Sequence, residues 1–279
     1  AYGRKFGDNG LLEFSQKVAC KNIADAVCGK SPSYRIDILN SIINLIEESG
    51  KPSDVLDAQG YYSFNEHVFM ANIQSEIYGR RYTYALLMLL EYKYKDKSEW
   101  KDFGTTSIEH ILPQNPKTTS QWVKNFSEEQ RSYYTHRIGN LCLIGRRKNS
   151  SLGNLDYQEK LKKYFEKNIG SFASSQKIYQ TYPNAWTPET VKENQERVIQ
   201  DLMEIFGIKS PSTIIDDSTY MEQQRSVYPN AYQPWTESDD ERLVALYNEG
   251  KSISELAQMF LRNHGAIKSR IRKLTGERF

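Results

Sequence analysis

Hydrophobic residues recur at intervals of three and four over most of the first hundred positions, which is the spacing of one face of an α-helix. The pattern predicts helices at residues 11–27, 38–46, 64–77 and 82–94. A Ser-Pro pair at 31–32 separates the first two helices, and a Ser-Gly-Lys-Pro sequence at 49–52 ends the second. The fourth helix is apolar enough to be buried.

The pattern changes after residue 100. Short β-like segments at 104–108 and 141–144 flank a polar stretch that contains a predicted helix at 127–137, and a further helix is predicted at 157–169. The apolar stripe of this last helix consists of Leu161, Tyr164, Phe165 and Ile169. A strand, a long insertion, a second strand and a helix follow one another in the order of a ββα-metal finger.

Another helix is predicted from Thr187 to about Phe206. Thr187 is a suitable N-cap, Pro188 suits the first turn, and Glu189 places an acid near the positive end of the helix dipole. Residues 208–233 are rich in Ser, Gln, Asp and Pro and are predicted to be a linker.

The last segment, 234–279, is predicted to form three helices, which begin near Thr236, Ser252 and Asn263. Their apolar positions can face one another, as in a helix-turn-helix unit. The residues left for solvent or DNA are Arg262, Asn263, His264, Lys268, Arg270, Arg272 and Lys273.

Composition restricts the class of protein. With 26% charged residues and a mean hydropathy of −0.69, we expect a soluble, cytoplasmic protein without a membrane partner. The longest apolar run, 85–90, is too short to cross a bilayer, and the N-terminus lacks a signal-peptide pattern. Three cysteines without CxxC spacing argue against a disulfide scaffold or a Cys-rich zinc site. Because the chain starts with Ala1, it has either lost an initiator Met or is a piece of a longer protein.

The net charge of +2 is unevenly distributed. Residues 101–170 contain twelve Lys or Arg against seven Asp or Glu, and residues 262–273 contain five basic residues and no acid. Two positive zones favour a polyanionic partner. Within the first zone, Arg146, Arg147 and Lys148 are predicted to bind phosphate groups.

Candidate chemistry begins with Glu109 and His110, which are followed by Asn140 and Asn149. The imidazole of His110 can accept a proton from water near neutral pH, so it is the candidate general base. The oxygen atoms of Glu109 and Asn149 are hard ligands of the kind that Mg²⁺ prefers, and Asn140 could orient the imidazole. These residue types predict a one-metal phosphodiesterase that uses Mg²⁺, or Mn²⁺ in its place.

The Glu109-His110 pair also has a structural alternative, because a carboxylate beside a histidine occurs in buried ion pairs and helix caps. Adjacent strand residues point to opposite faces, so both side chains can reach one site only where the strand ends and the chain bends. Pro113 favours such a bend. His136 is expected to pack near the site in a structural role.

The elements EHILPQ at 109–114, GNLCLI at 139–144 and RRKNSSLGN at 146–154 resemble the HNH, or His-Me finger, module at the C-terminus of GmrSD-type modification-dependent restriction enzymes. They are also similar to the phosphorothioate-sensing SspE proteins and to the HNH domain of RNA-guided CRISPR nucleases, which carries Asp where Glu109 stands. The resemblance covers about residues 80–205. It implies His110 as general base, Glu109 and Asn149 as metal ligands, and Asn140 as a supporting residue.

The restriction proteins that these elements resemble carry an N-terminal nucleotide-hydrolysing sensor domain, and the resemblance implies such a domain in the full-length protein. This chain has no DGQQR-like motif, so we expect that the domain is not part of it. The expected fold is mainly α with a small ββα-metal (HNH) finger. Its expected parts are a helical region at 1–100 packed on the nuclease, an HNH core at 101–207, a linker at 208–233 and a three-helix, helix-turn-helix or Myb-like DNA-binding unit at 234–279.

The expected function is a Mg²⁺-dependent endonuclease that nicks or cleaves DNA in a modification-dependent or anti-phage restriction system. Lys268, Arg270, Arg272 and Lys273 are predicted to meet DNA phosphates. Two alternatives stay open, namely a DNA-binding regulator with a non-catalytic HNH-like scaffold and an RNA nuclease.

Overall fold

The computed structural model describes residues 1–95, 105–145, 152–165, 172–209, 222 and 225–276. The chain divides into two compact units, one made of residues 1–125 and 134–212 and the other of residues 126–133 and 213–279. The described secondary structure is helical apart from one pair of strands, which confirms the mainly α class. None of the described helices has the length and apolar composition needed to span a membrane.

The second unit contains the helices at residues 237–248, 253–259 and 264–275 and most of the helix at 128–134, and the other described helices belong to the first unit. In chain order the described helices are α1 (Tyr2–Phe6), α2 (Leu11–Val27), α3 (Pro32–Glu48), α4 (Pro52–Leu56), α5 (Gln59–Tyr62), α6 (Glu66–Ile73), α7 (Thr83–Tyr94), α8 (Gln121–Asn125), α9 (Glu128–Tyr134), α10 (Tyr157–Phe165), α11 (Ala173–Thr181), α12 (Pro188–Phe206), α13 (Glu237–Asn248), α14 (Ile253–Met259) and α15 (His264–Thr275). The cap predicted for α12 is confirmed, since the hydroxyl of Thr187 accepts a hydrogen bond from the N–H of Thr190.

The two strands are β1 (Thr106–His110) and β2 (Leu141–Gly145), and they pair in antiparallel fashion. In this register Glu109 lies opposite Cys142, and His110 lies opposite Leu141. The first strand ends two residues later than the predicted 104–108 segment, because β2 offers hydrogen-bonding partners up to Leu141. Glu109 and His110 therefore belong to the strand itself.

One hydrophobic core joins the N-terminal helices to the strands. Phe69 of α6 and Leu86 of α7 are buried in the same cluster as Leu143 of β2 and Leu202 of α12. Burial of such apolar side chains is the dominant favourable contribution to folding. The helices before residue 100 and the segment after it thus share one core. A smaller cluster in the same unit consists of Tyr2, Ile42, Ile46, Val55 and Tyr62.

The sequence pattern does not predict α11, whose start is capped from another helix. The carboxylate of Glu91 in α7 accepts hydrogen bonds from the main-chain N–H groups of Ala173 and Ser174 at 3.0 and 2.8 Å. The hydroxyl of Ser175 donates to the carbonyl of Leu143 at 2.6 Å. Because a remote side chain satisfies the N–H groups that a local N-cap would otherwise satisfy, the sequence of α11 carries no start signal.

The buried face of α10 differs from the predicted stripe. Tyr157, Lys160 and Tyr164 are buried, whereas Leu161 is half-buried and Phe165 is exposed. Positions separated by three and four residues share one face of a helix. The sequence pattern does not predict this buried face because it contains a lysine, and Lys is almost never buried without a partner.

The second unit has its own core, in which α13, α14 and α15 pack together. Thr236, Ser252 and Asn263 precede these helices, and each side chain accepts a hydrogen bond from a first-turn N–H group. Residues 126–133 belong to this unit through Tyr133, whose ring meets that of Tyr232 edge-on at 5.3 Å. The core consists of Leu243, Leu256, Ala257, Phe260, Ile267 and Ile271.

Candidate active site

The candidate site lies at the C-terminal end of β1. Glu109 contacts Lys160 of α10, whereas His110 contacts Tyr78 and His136. Their side chains leave the strand on opposite faces, as alternation along a strand requires. The bend in the chain comes only after His110, so it does not bring both side chains to one point. Two separate polar sites result, one on each face of the strand end.

A buried ion pair occupies the Glu109 face. The ammonium of Lys160 lies 2.6 Å from Glu109 Oε1, donates to the main-chain carbonyl of His110 at 2.7 Å, and lies 6.0 Å from the centre of the Trp122 ring. Lys160 is completely buried. Burial raises the pKa of Glu109, and the positive charge of Lys160 opposes that change. The structural alternative for Glu109, a buried ion pair, is therefore present.

The imidazole of His110 has a polar neighbour at each nitrogen. Nε2 lies 3.3 Å from Nδ1 of His136, and Nδ1 lies 3.3 Å from Nε2 of Gln114. The ring of Tyr78 meets the imidazole edge-on at 4.2 Å. Burial, with smaller contributions from the charges of His136 and Lys160, lowers the pKa of His110 to about 3. The ring is therefore neutral at pH 7, with one nitrogen protonated and the other able to accept a proton.

Asn140 is completely buried and fixes the chain that follows β1. Its Oδ1 accepts from the main-chain N–H of Leu112 at 2.8 Å and from the indole of Trp186 at 3.1 Å. Its Nδ2 donates to the carbonyls of Leu112 and Thr135 at 2.9 and 3.0 Å. These bonds use the hydrogen-bonding capacity of the amide. Asn140 therefore holds the backbone beside the imidazole, and its role as a supporting residue of His110 stays a prediction.

Gly139 allows this arrangement because it lies against the backbone of α12. A Cβ at this position would lie 2.6 Å from the Cα of Gln195, so no other residue fits without a shift. The main-chain N–H of Gly139 donates to Gln195 Oε1 at 2.5 Å, and its carbonyl accepts from Asn194 Nδ2 at 2.6 Å. The Gly139-Asn140 pair thus ties α12 to the segment that leaves β1.

Four predicted site residues, Arg146, Arg147, Lys148 and Asn149, lie outside the described residues. Within the described ranges, no group of three or more His, Cys, Asp or Glu side chains is arranged to hold a metal ion. The role of Glu109 as a metal ligand stays a prediction, because the structure shows this carboxylate only as the partner of Lys160.

Sequence reasoning missed two residues of the site, Tyr78 and Lys160. The sequence contained one signal for Lys160, its spacing from Tyr157 and Tyr164, which places all three residues on one face of the helix. Tyr78 gave no comparable signal, since it is far from His110 in the chain and its ring becomes a neighbour only through tertiary packing.

A family model described as GmrSD restriction endonucleases, C-terminal domain, matches residues 65–201. This segment is a GmrSD C-terminal domain. Among curated proteins and among solved structures, nothing matches. The family is one of restriction endonucleases, so a nuclease role with DNA as the substrate is assigned at the level of the family.

The GmrSD domain includes both strands, α6 to α11 and most of α12, and therefore every described residue of the candidate site. The family resemblance found in the sequence elements at 109–114 and 139–144 is confirmed. The matched segment begins at residue 65, within the helical region predicted at 1–100, and this agrees with the core that both parts share.

The predicted DNA contacts of the second unit lie after residue 261, outside the GmrSD domain. Arg270 makes two hydrogen bonds to the carboxylate of Asp240, at 2.6 and 2.5 Å, and its contact with DNA phosphate stays a prediction. Arg262 is buried, donates to two main-chain carbonyls and lies 4.1 Å from the centre of the Trp235 ring. The prediction that Arg262 is left for solvent or DNA is wrong, because its guanidinium group is buried against the main chain of the unit. Lys268, Arg272 and Lys273 are exposed.

Proposed function

We propose that the GmrSD domain hydrolyses phosphodiester bonds in DNA with His110 as general base, as the effector part of a modification-dependent or anti-phage restriction system. The observation that carries the proposal is the geometry of His110 at the end of β1, where His136 contacts Nε2 of the imidazole and Gln114 contacts Nδ1. A general base must be unprotonated at the working pH and close to the proton that it removes.

The contacts of the ring suggest which nitrogen acts. His136 engages Nε2 within the protein, whereas Nδ1 faces Gln114, which is exposed. If His136 accepts the proton on Nε2, the lone pair of Nδ1 is directed at an amide that water can displace. In this proposal His136 is a positioning residue that fixes the tautomer, and Nδ1 of His110 removes the proton from the attacking water.

Mg²⁺, with Mn²⁺ as a substitute, is the proposed cofactor, and when bound it would neutralise charge on the phosphate. The described residues do not form a site for it as they stand, because Lys160 already neutralises Glu109 and His110 lies on the other strand face. The other proposed ligand, Asn149, lies outside the described residues. The proton removal assigned to His110 and the positioning assigned to His136 do not pass through the metal ion.

Plasmid nicking tests the proposal, with Mg²⁺, Mn²⁺ or EDTA in separate reactions. We expect His110→Ala to lose about 10²–10⁴ in rate, the usual effect of removing a general base. The matched control is His67→Ala, which removes an exposed histidine from α6 of the same domain and should cleave like wild type. Nicking by His110→Ala within about threefold of wild type would contradict the assignment.

We also propose that the second unit binds DNA through the exposed face of α15. The support is that Lys268, Arg272 and Lys273 are exposed, whereas Ile267 and Ile271 of the same helix face the core. If DNA binding occurs without any His110-dependent cleavage, the regulatory alternative is favoured. Cleavage of RNA in preference to DNA would favour the RNA nuclease.

A further inference from the structure

The turn between α6 and α7 carries an aromatic side chain beside His110 and two cationic residues directly after it in the chain. The ring of Tyr78 meets the His110 imidazole edge-on at 4.2 Å and stacks on the His136 ring at 5.5 Å and 14°. Tyr78 is nevertheless 40% exposed, and Arg80 and Arg81, which follow it, are exposed as well. One edge of the candidate site thus presents the Tyr78 ring to solvent, and two exposed arginines follow this ring in the chain.

Main-chain hydrogen bonds hold this turn in place. The N–H groups of Ile77 and Tyr78 both donate to the carbonyl of His136, at 3.0 and 3.1 Å, and Arg80 N–H donates to the carbonyl of Ile77 at 3.0 Å. Gly79 has a φ of 81°, which glycine adopts without strain. Because the turn is bonded to the residue that contacts Nε2 of His110, its position relative to the imidazole is set before any ligand arrives.

Among the described residues, no carboxylate lies within salt-bridge distance of the cations of this turn. Glu76 is the acidic neighbour, and the positive charges of Arg137 and Arg80 counteract the rise in its pKa that burial causes. Arg80 therefore lies near a carboxylate, although no ion pair joins them within the distance of a salt bridge among the described residues. Arg81 likewise forms no ion pair with a described carboxylate.

We propose that Tyr78, Arg80 and Arg81 form a DNA-binding edge of the active site, in which the arginines bind backbone phosphates and the tyrosine ring packs against a neighbouring nucleotide. This rests on the proposed DNA hydrolysis at His110. Arginine binds phosphate through a planar fork of N–H donors, and aromatic rings provide stacking surfaces for bases without sequence preference. The edge would position the strand whose phosphate faces His110.

The test measures binding of a short fluorescein-labelled DNA duplex to the full chain by anisotropy, in EDTA and at a series of KCl concentrations. Arg80→Gln/Arg81→Gln should weaken binding. It should also reduce the salt slope, which is the steepness with which the logarithm of the binding constant falls with the logarithm of the salt concentration, by about 0.9 for each phosphate that is no longer neutralised. The control is Arg4→Gln/Lys30→Gln, which removes two exposed cations elsewhere in the same unit. It should retain the wild-type slope.

Two further variants separate binding from folding. Arg80→Lys/Arg81→Lys keeps both charges and should restore the salt slope, even where affinity stays below wild type because the fork is removed. Tyr78→Phe keeps the ring and should bind like wild type, whereas Tyr78→Leu should weaken binding by about fivefold or more. Equal binding by the Phe and Leu variants overturns the role of the ring.

The outcomes distinguish this inference from the proposed reaction. If Arg80→Gln/Arg81→Gln binds with the affinity and slope of its control while cleavage depends on His110, the DNA-binding edge is wrong and the reaction stands. If the arginine variant loses binding but no metal supports nicking by wild type, the edge stands and the reaction is wrong.

Discussion

At the scale of single residues, the buried pair of Glu109 and Lys160 determines how the end of β1 is held. The ammonium binds both the Glu109 carboxylate and the His110 carbonyl, so one cation fixes the candidate base and the residue before it. A buried charge that loses its partner is strongly unfavourable, whereas removal of both charges together is often tolerated. This asymmetry can be measured.

We expect Glu109→Gln and Lys160→Met each to lower the free energy of unfolding by about 3–5 kcal/mol, since each leaves one buried charge unpaired. Glu109→Gln/Lys160→Met should lose much less than the sum of the two, because neither charge remains. Urea denaturation of the three variants gives the coupling free energy. Additive losses would show that the ion pair is not the source of the effect.

Mg²⁺ titration of the same variants addresses the second role proposed for Glu109. If this carboxylate also binds the metal, Glu109→Gln/Lys160→Met should need more Mg²⁺ for half-maximal nicking even though the pair no longer affects stability. An unchanged half-saturation would assign Glu109 to the ion pair alone.

At the scale of elements, the contact between the Gly139-Asn140 turn and α12 links the long C-terminal helix of the domain to the loop after β1. The Asn194 amide donates to the carbonyl of Gly139, and the N–H of Gly139 donates to the Gln195 amide oxygen. The side-chain amide of Asn140 then bonds to the N–H and the carbonyl of Leu112. The position of the loop therefore depends on a close approach between a turn and a helix.

Gly139→Ala should lower the free energy of unfolding by about 1–3 kcal/mol, because the added methyl group meets the α12 backbone. Nicking should also fall, since the loop beside His110 must shift. Gly145→Ala is the matched control at the other end of β2, where a Cβ would have no atom within 4 Å. Thermal melts and nicking rates check both variants, and equal stability of the two would contradict the packing argument.

At the scale of the whole molecule, two folded units each carry exposed cations, although the net charge is only +2. The first unit exposes Arg80 and Arg81, and the second exposes Arg272 and Lys273 on α15. Every residue proposed for the chemistry precedes position 150. Binding by the second unit and chemistry in the first should therefore be separable.

We expect Arg272→Gln/Lys273→Gln to weaken DNA binding by the full chain and to reduce its salt slope by about 0.9 per phosphate that the unit ceases to neutralise. The nicking rate at saturating DNA should stay at the wild-type value. Arg242→Gln/Lys251→Gln removes the same charge from exposed positions on the same unit and is the control. Unchanged binding by the α15 variant would favour a protein-docking role for this unit.

The sequence by itself determined the features that depend on neighbours in the chain. Helical periodicity located the long helices, Thr187 and Pro188 marked the start of α12, and the elements at 109–114 and 139–144 indicated the family. These signals are local, because caps, periodicity and motif spacing act over a few residues.

Only the tertiary structure decided which groups face one another. Glu109 has its partner 51 residues away in Lys160, His110 has His136 at 26 residues, and Arg270 has Asp240 at 30 residues. No local pattern encodes such pairs, because a charge takes the partner that packing brings within reach and burial then makes that partner necessary. For this reason the sequence could name the candidate base, but the fold decided that its neighbours are an ion pair, a second histidine and a tyrosine.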